Sequence, residues 1–96
     1  MFPGLTTRMS EKNVTTAATI TAEADIIRLV GTTNIATIRP KGEGVGGQII
    51  VLVPVGNTLA LLTTGNIAIG VTMADSRATV LVYSKIGGVW YPGAIS

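Results

Sequence analysis

The residues that could do chemistry in this chain are few and lie far apart. Glu23 and Asp25 are two positions apart, which places both carboxylates on one side of an extended segment. Acid–base catalysis uses such a pair when the two carboxyl groups have different environments in one cleft. Here both acids lie in a polar break among small residues, a setting typical of solvated turn charges. A small hydrolase would have to use Asp25 or Asp75.

Nucleophilic and metal chemistry lack their usual residues. The chain has no histidine and no cysteine, which removes the common base for an activated serine and the common ligands of zinc, haem and iron–sulfur clusters. Gly42, Gly44 and Gly47 match the spacing G-x-G-x-x-G, but a strand follows them where a dinucleotide site needs a helix. We therefore expect no catalytic residue, no metal site, no cofactor and no enzymatic activity.

Aromatic residues are the remaining candidates for a binding site. Trp90 and Tyr91 are neighbours on a predicted strand, so one side chain should face the core and the other should face outward. Tyr83 lies across a predicted hairpin and can pair with either of them. An aromatic ridge of this kind can stack on sugars, or it can close the end of a β-core. The second interpretation is favoured.

Charge is sparse and scattered along the sequence. Only 12% of the residues are charged, with a net charge of +2, whereas a typical soluble domain is about 25% charged. The basic residues form no cluster interleaved with aromatics, which a nucleic-acid interface would require. Residues 44–73 carry no charge, but several glycines and Pro54 interrupt this stretch and make it a poor membrane helix. We expect neither nucleic acid nor membrane as a partner.

Short strands should carry these residues. The chain is rich in Val, Ile and Thr, and from Val14 its apolar residues alternate with polar ones. Turn residues then separate runs of strand-forming residues. The predicted strands are 14–21, 26–30, 35–39, 48–55, 58–62, 66–69, 79–84 and 89–91. The run at 48–55 is almost continuously apolar, which is typical of a strand covered on both faces. Pro54 predicts an edge or bend there, and Gly87 with Gly88 predicts a hairpin.

The spacing of these strands predicts one domain preceded by an arm. Strands recur about every 8 to 12 residues with no helical period, which indicates a compact all-β fold, a sandwich, barrel or β-prism of about seven to eight short strands. Residues 14–96 form this single β domain. Residues 1–13 form an extended N-terminal arm with apolar residues at Phe2 and Leu5. The arm is either a frayed terminus or an anchor that docks on a partner.

The shortage of charge predicts self-association. A monomer of this size buries only about 60 to 65% of its unfolded surface, so this chain would expose large apolar patches, which mark interfaces. An apolar interface of about 1,000 Å² per chain would contribute on the order of 25 kcal/mol before entropic costs. Without disulfides, the fold gains stability from such an assembly.

Several segments are also similar to those of a known group of proteins. They are the strand of alternating Thr and Ala, the sequence ADIIRLVG at 24–31, NIATI at 34–38, the glycine-rich loop, the apolar strand from Gln48, TGNIAIG at 64–70, and the hairpin with TVLVY at 79–83 and VWY at 89–91. In this pattern the chain resembles short β-rich virion proteins of tailed bacteriophages, of the trimeric fibre and head-decoration kind. The resemblance implies a homotrimer whose strands pack around a threefold axis.

Two virion functions are compatible with this resemblance. The first is a capsid decoration (cement) protein, assembled in the host cytoplasm, that binds the phage major capsid protein on the outside of the head. The predicted capsid contacts are Phe2, Leu5 and Arg8. The predicted oligomer core consists of Ile49, Val51, Val53, Ile67 and Ile69. The alternative is a tail-fibre or spike module that binds a host glycan through Tyr83, Trp90 or Tyr91.

Overall fold

The chain is all β in the residues that the computed structural model describes, which are 10–41 and 47–93. The predicted all-β class is confirmed, with nine strands in these ranges where about seven to eight were expected. The strands are β1 (Glu11–Thr15), β2 (Thr19–Thr21), β3 (Ile26–Val30), β4 (Thr37–Arg39), β5 (Gln48–Val55), β6 (Leu59–Leu61), β7 (Val71–Met73), β8 (Thr79–Ser84) and β9 (Val89–Pro92).

Five of the strands form one large mixed sheet in the order β1-β3-β5-β8-β9. The first three are parallel to one another, whereas β8 runs antiparallel to β5 and to β9. Two small sheets complete the fold, the parallel pair β2–β4 and the antiparallel pair β6–β7. These described strands do not close into a barrel.

A single apolar core lies between the large sheet and the two small ones. Side chains alternate across a strand, so β5 directs Ile50, Leu52 and Pro54 to the buried side and Ile49, Val51, Val53 and Val55 to the opposite side. The remaining buried apolar residues are Ile20, Ala22, Ala24, Ile27, Leu29, Ile35, Ile38, Leu59, Leu61, Ile67, Met73, Leu81 and Trp90. Every strand except β1 contributes to this cluster.

One asparagine joins the small parallel sheet to the large sheet. Ile38 in β4 directs its backbone away from β2, and the side chain of Asn66 takes the place of the missing neighbouring strand. The Ile38 N–H donates to Asn66 Oδ1 at 2.8 Å, and Asn66 Nδ2 donates to the Ile38 carbonyl at 2.6 Å. That carbonyl also accepts the indole N–H of Trp90 at 2.8 Å. The backbone carbonyl of Asn66 accepts the Trp90 N–H at 2.8 Å, so Asn66 and Trp90 are bonded to each other as well as to the backbone of Ile38.

Several predicted elements are confirmed in type and position. The predicted strands 26–30, 48–55 and 79–84 coincide with β3, β5 and β8. The predicted hairpin joins β8 to β9, with Gly88 at a φ of +70°, a conformation that favours glycine. The Gly88 N–H donates to the Ser84 carbonyl at 2.7 Å and closes the turn.

Pro54 lies near the end of a central strand without breaking its ladder. Val51 donates its N–H to Asp25 on the β3 side at 2.8 Å, and alternate residues direct their N–H groups to opposite sides. The nitrogen of Pro54 is therefore directed toward the β8 side. The pairing with β8 ends where Leu52 meets Thr79, so no hydrogen bond is lost. The predicted edge at Pro54 is confirmed on this one side of β5.

The first predicted strand, 14–21, is wrong as a single element. It is divided between β1 in the large sheet and β2 in a small sheet, because the chain crosses from one layer to the other after Thr16. The Thr16 N–H still continues the β1 ladder, donating to the Val30 carbonyl at 2.9 Å. Strand β1 also begins at Glu11, within the segment expected to form the arm. The apolar–polar alternation is the same in both sheets, so it does not show where the chain leaves one sheet and joins the other.

The predicted strand 66–69 is also wrong, and β7 was missed. Residues 66–68 follow the edge of β9 but make only one bridge to it, between Ile67 and Trp90. The neighbouring Gly65 passes so close to Ala36 and Thr37 that a Cβ would overlap their atoms. The segment around Gly65 and Asn66 is thus positioned by close packing against the backbone before β4 and by the Asn66 side chain. It has no regular ladder of hydrogen bonds.

The prediction that strand 48–55 is covered on both faces is wrong within a single chain. One face of β5 is buried, whereas the other is half-buried or exposed, with Ile49 58% exposed. No second layer of the described residues lies over that face. The apolar character of β5 therefore exceeds what the core of this chain uses.

The buried hydroxyl of Thr79 provides a first test of the core. This side chain faces the core opposite Leu52, and its Oγ1 has no hydrogen-bond partner. Replacing Thr79 with valine keeps the shape and removes the unsatisfied group, so we expect a stabilisation of about 1 kcal/mol and a rise in Tm of about 4 to 8 °C. Thermal unfolding at one protein concentration measures this. The control is T72V at an exposed position of β7, which should leave Tm nearly unchanged; an unchanged or lower Tm for T79V would contradict the prediction.

The Asn66 side chain provides a second test. Replacing Asn66 with alanine leaves the buried N–H of Ile38 without an acceptor, so we expect a destabilisation of about 2 kcal/mol and a fall in Tm of about 8 to 16 °C. The matched control is N57A, since Asn57 makes a single bond, to the Gly31 carbonyl at 3.2 Å. Chemical denaturation of both variants measures the free energy of unfolding, and thermal unfolding at one protein concentration measures Tm. Equal losses would show that Asn66 has no special role in joining the sheets.

Candidate interaction surface

The side of the large sheet that faces away from the core is mostly apolar, and we call it the outer face. Strands β3, β5, β8 and β9 place apolar side chains there at alternate positions. Its apolar members include Ile26, Val30, Ile49, Val51, Val53, Val55, Val80, Val82 and Tyr91. The outer face is therefore built by the same strands whose other side forms the core.

Two cross-strand rows make the outer face continuous. In the first row, Ile49 is opposite Val82, and Val82 is opposite Tyr91. We call these three residues the central row. In the second, Val51 lies between Ile26 and Val80. Directly opposite side chains on neighbouring strands have Cβ atoms about 4.5 to 5.5 Å apart, so each row is a continuous apolar ridge.

The central row is open to solvent in the single chain. The exposed fractions are 58% for Ile49, 42% for Val82 and 46% for Tyr91. Single exposed apolar residues are ordinary on protein surfaces, but a contiguous apolar patch marks an interaction site. The sequence showed the signal for the β8 part of this patch, since residues 79–83 are apolar or Thr on both faces of the strand. Val80 and Val82 were nevertheless missed as surface residues.

A polar rim borders the outer face along β1. Glu11, Asn13 and Thr15 direct their side chains to this rim, and all three are exposed. Arg28 of β3 donates from Nη1 to Asn13 Oδ1 at 3.1 Å. The outer face thus has an apolar centre and a rim with charges of both signs, which is the usual anatomy of a protein–protein interface.

The residues predicted for the oligomer core do not all lie on one surface. Ile49, Val51 and Val53 lie side by side on the outer face, at alternate positions of β5. Ile67 is buried in the chain's own core. Ile69 is 60% exposed, but it lies in the loop before β7, outside the large sheet. Three of the five residues are therefore grouped on one surface, and two are elsewhere.

The three aromatic residues of the glycan alternative do not share a surface. Trp90 is fully buried, and its ring centroid lies 5.0 Å from that of Tyr83. Tyr91 faces the opposite side of the sheet, which confirms that one aromatic of the pair faces the core and the other faces outward. Trp90 is part of the core, the half-buried Tyr83 packs against it, and Tyr91 belongs to the central row.

A hydrogen-bonded clasp holds the residue at which the described chain begins. Ser10 donates its backbone N–H and its hydroxyl to Asp25 Oδ2 at 3.1 and 3.2 Å, and Ser10 Oγ accepts the Asp25 N–H at 3.0 Å. Beside it, Lys12 Nζ lies 2.8 Å from Glu23 Oε2. The predicted capsid contacts Phe2, Leu5 and Arg8 lie outside the described residues. The clasp fixes the point from which their segment starts.

The acids considered for catalysis have roles in holding loops. Asp75 Oδ1 accepts the Gly56 N–H at 2.8 Å and the Ser76 hydroxyl at 3.0 Å, and Asp25 is part of the clasp. Within residues 10–41 and 47–93, no three acidic side chains come together as metal ligands. Of the predicted glycine pattern, only Gly47 lies in the described part of the chain.

Comparisons with protein-family models, with curated proteins and with solved structures find no match for this chain. In the part of the chain that the structure describes, no helix has the length and apolar character to cross a membrane.

The ion pair between Lys12 and Glu23 predicts a specific pH dependence. The hydrogen bond from Lys12, and next its positive charge, lower the pKa of Glu23 from its ordinary value of 4.5. A lowered folded-state pKa stabilises the fold above the ordinary value, and this contribution is lost as pH falls through the lowered pKa. We expect E23Q to have a slightly lower Tm than the parent chain at pH 7 and the same Tm well below pH 4.5. Both side chains are about half exposed, so the difference should be small.

Thermal scans from pH 7 to pH 3 measure this effect. The control is E11Q, which removes an exposed glutamate of β1 from the same edge of the sheet. A difference between E23Q and the parent chain that grows as pH falls would contradict the assigned sign.

Proposed function

We propose that this chain is a structural protein of a bacteriophage virion, a capsid decoration protein that forms a homotrimer and binds the outside of the head. The observation that carries the proposal is the apolar outer face, which a small chain leaves uncovered beside a complete core of its own. A surface of this kind needs a protein partner, and the resemblance to trimeric β-rich virion proteins indicates which assembly uses it.

The proposed mechanism is mechanical. A trimer that binds across neighbouring capsid subunits stabilises the assembled shell by mass action, because it binds the assembled state and not the separated subunits. Three copies present three N-terminal segments to one lattice. Once one segment is bound, the others bind at a high effective concentration, so weak single contacts add up to strong attachment.

The clasp supports an attachment role for the N-terminal segment. Ser10 and Asp25 fix where this segment leaves the domain, and Lys12 with Glu23 holds the strand that follows. A fixed starting point lowers the ordering cost of docking residues 2–8 on a partner. Phe2 and Leu5 supply apolar contacts in this proposal, and Arg8 supplies a charged contact to the major capsid protein.

Deleting residues 2–8 tests the attachment. This deletion leaves Ser10, the clasp and β1 in place, so the domain and its oligomer should be unchanged. We expect binding to phage heads assembled without this protein to weaken by at least about hundredfold, since the loss is multiplied over three arms. Co-sedimentation with such heads, with the oligomeric mass measured in parallel, gives the result.

A matched control separates the side chains from the length of the segment. Replacing residues 2–8 by a Gly-Ser segment of equal length should weaken head binding as much as the deletion, and restoring Phe2, Leu5 and Arg8 in that background should recover it. Undiminished head binding by the folded deletion variant would rule out this attachment. Binding to host cells instead of heads would favour the tail-fibre alternative.

A further inference from the structure

We propose that the outer face is the surface on which copies of this chain pack against one another, with the central row of Ile49, Val82 and Tyr91 in the middle of the contact. This inference rests on the proposed self-assembly and identifies its surface. It differs from the prediction made from the sequence, because Ile67 and Ile69 are not part of this surface and Tyr91 becomes a contact between copies.

The apolar character of both faces of β5 is the first reason to expect that another molecule covers the outer face. A strand that is apolar on both faces is typical of a sheet covered on both sides. Within the chain, only the side with Ile50 and Leu52 is covered. A second layer from another molecule would give β5 the environment that its sequence indicates.

The size of the outer face fits a stable interface between two proteins. Five strands spaced about 4.8 Å apart span about 24 Å, and strands of four to eight residues are about 14 to 27 Å long. The projected footprint is therefore roughly 500 Å². The accessible area of a corrugated side-chain surface is larger than its projection, and a standard interface uses about 800 Å² per partner. The outer face is close to that size.

The chemistry of the outer face indicates a second copy as the occupant. Its centre is built of Val and Ile, which lose little side-chain entropy on packing, together with Tyr91. Its rim carries Glu11 and Arg28, so an identical rim offers each charge an opposite partner. Apolar sheet faces pack on one another about 10 Å apart in β-sandwiches. The outer faces of neighbouring copies in the proposed homotrimer are thus matched in polarity and in charge.

Lysine substitutions at two matched positions test the surface. I49K places a charge in the central row, and I69K places the same charge at an equally exposed isoleucine outside the large sheet. Neither side chain is part of the core, so both variants should fold. We expect the self-association constant to fall by at least about thirtyfold for I49K, the loss typical of a central interface residue, and to remain unchanged for I69K.

The measurement is the molecular mass by light scattering over a range of protein concentrations, with circular dichroism to verify folding. The milder variant V82T keeps the side-chain shape and a strand-forming residue, and it should weaken self-association without unfolding the domain. It provides the decisive result if I49K does not fold.

Each outcome bears on a different proposal. A native oligomer that I49K and V82T dissociate and I69K does not would support the outer face. A native oligomer that survives I49K and V82T, or one that I69K alone dissociates, would overturn this inference and leave self-assembly standing. A native monomer at all concentrations would overturn both. Retention of the oligomer in the 2–8 deletion is also required, because its loss would show that the N-terminal segment, and not the outer face, holds the copies together.

Discussion

The fold depends on how one apolar strand, β5, is covered. This strand runs through the middle of the large sheet and is apolar on both faces, so both faces favour removal from water. The chain covers one face with its two small sheets and covers the other with nothing in the described residues. The division into a closed inner core and an open outer face follows from this single constraint. So does the absence of charged residues from β5, β8 and β9, which contribute side chains to both sides.

The covering layer itself depends on hydrogen bonds that regular pairing does not supply. The sheet β2–β4 has only two strands, and a two-stranded sheet is marginal alone. Asn66 supplies the missing edge partner for Ile38, and the indole of Trp90 binds the same carbonyl while its ring fills the core. Polar groups removed from water are costly unless they are hydrogen-bonded, and the indole bond to Ile38 is buried. Here they fix the register between the two layers, because only one alignment satisfies the Ile38 peptide, the Asn66 amide and the indole together.

The sequence predicted the strands and turns that local patterning determines. It did not predict which sheet each strand joins. The strands β3, β5 and β8, the Gly-Gly hairpin and the opposite orientations of Trp90 and Tyr91 follow from period-two patterning and turn residues. The division of 14–21 between two sheets does not, since alternation is the same in either sheet. The Asn66 contact also could not be predicted, because it joins residues 28 positions apart. At the candidate surface, Ile49, Val51 and Val53 could be predicted, whereas the exclusion of Ile67 required the three-dimensional arrangement.

The apolar residues of the outer face call for an explanation that the core residues do not. A core residue such as Leu52 is apolar because the fold of the single chain requires it. For Ile49, Val82 and Tyr91, the single chain has no such requirement, since a polar β-forming residue such as threonine would serve the strand equally well and would be hydrated. Their apolar character is therefore unexplained by folding alone, and three such residues in register across three strands form a ridge rather than scattered surface contacts. An open apolar ridge favours association whenever chains meet. The proposed closed symmetric assembly would limit that association, because it would bury the same surface of every copy and leave none exposed for further growth.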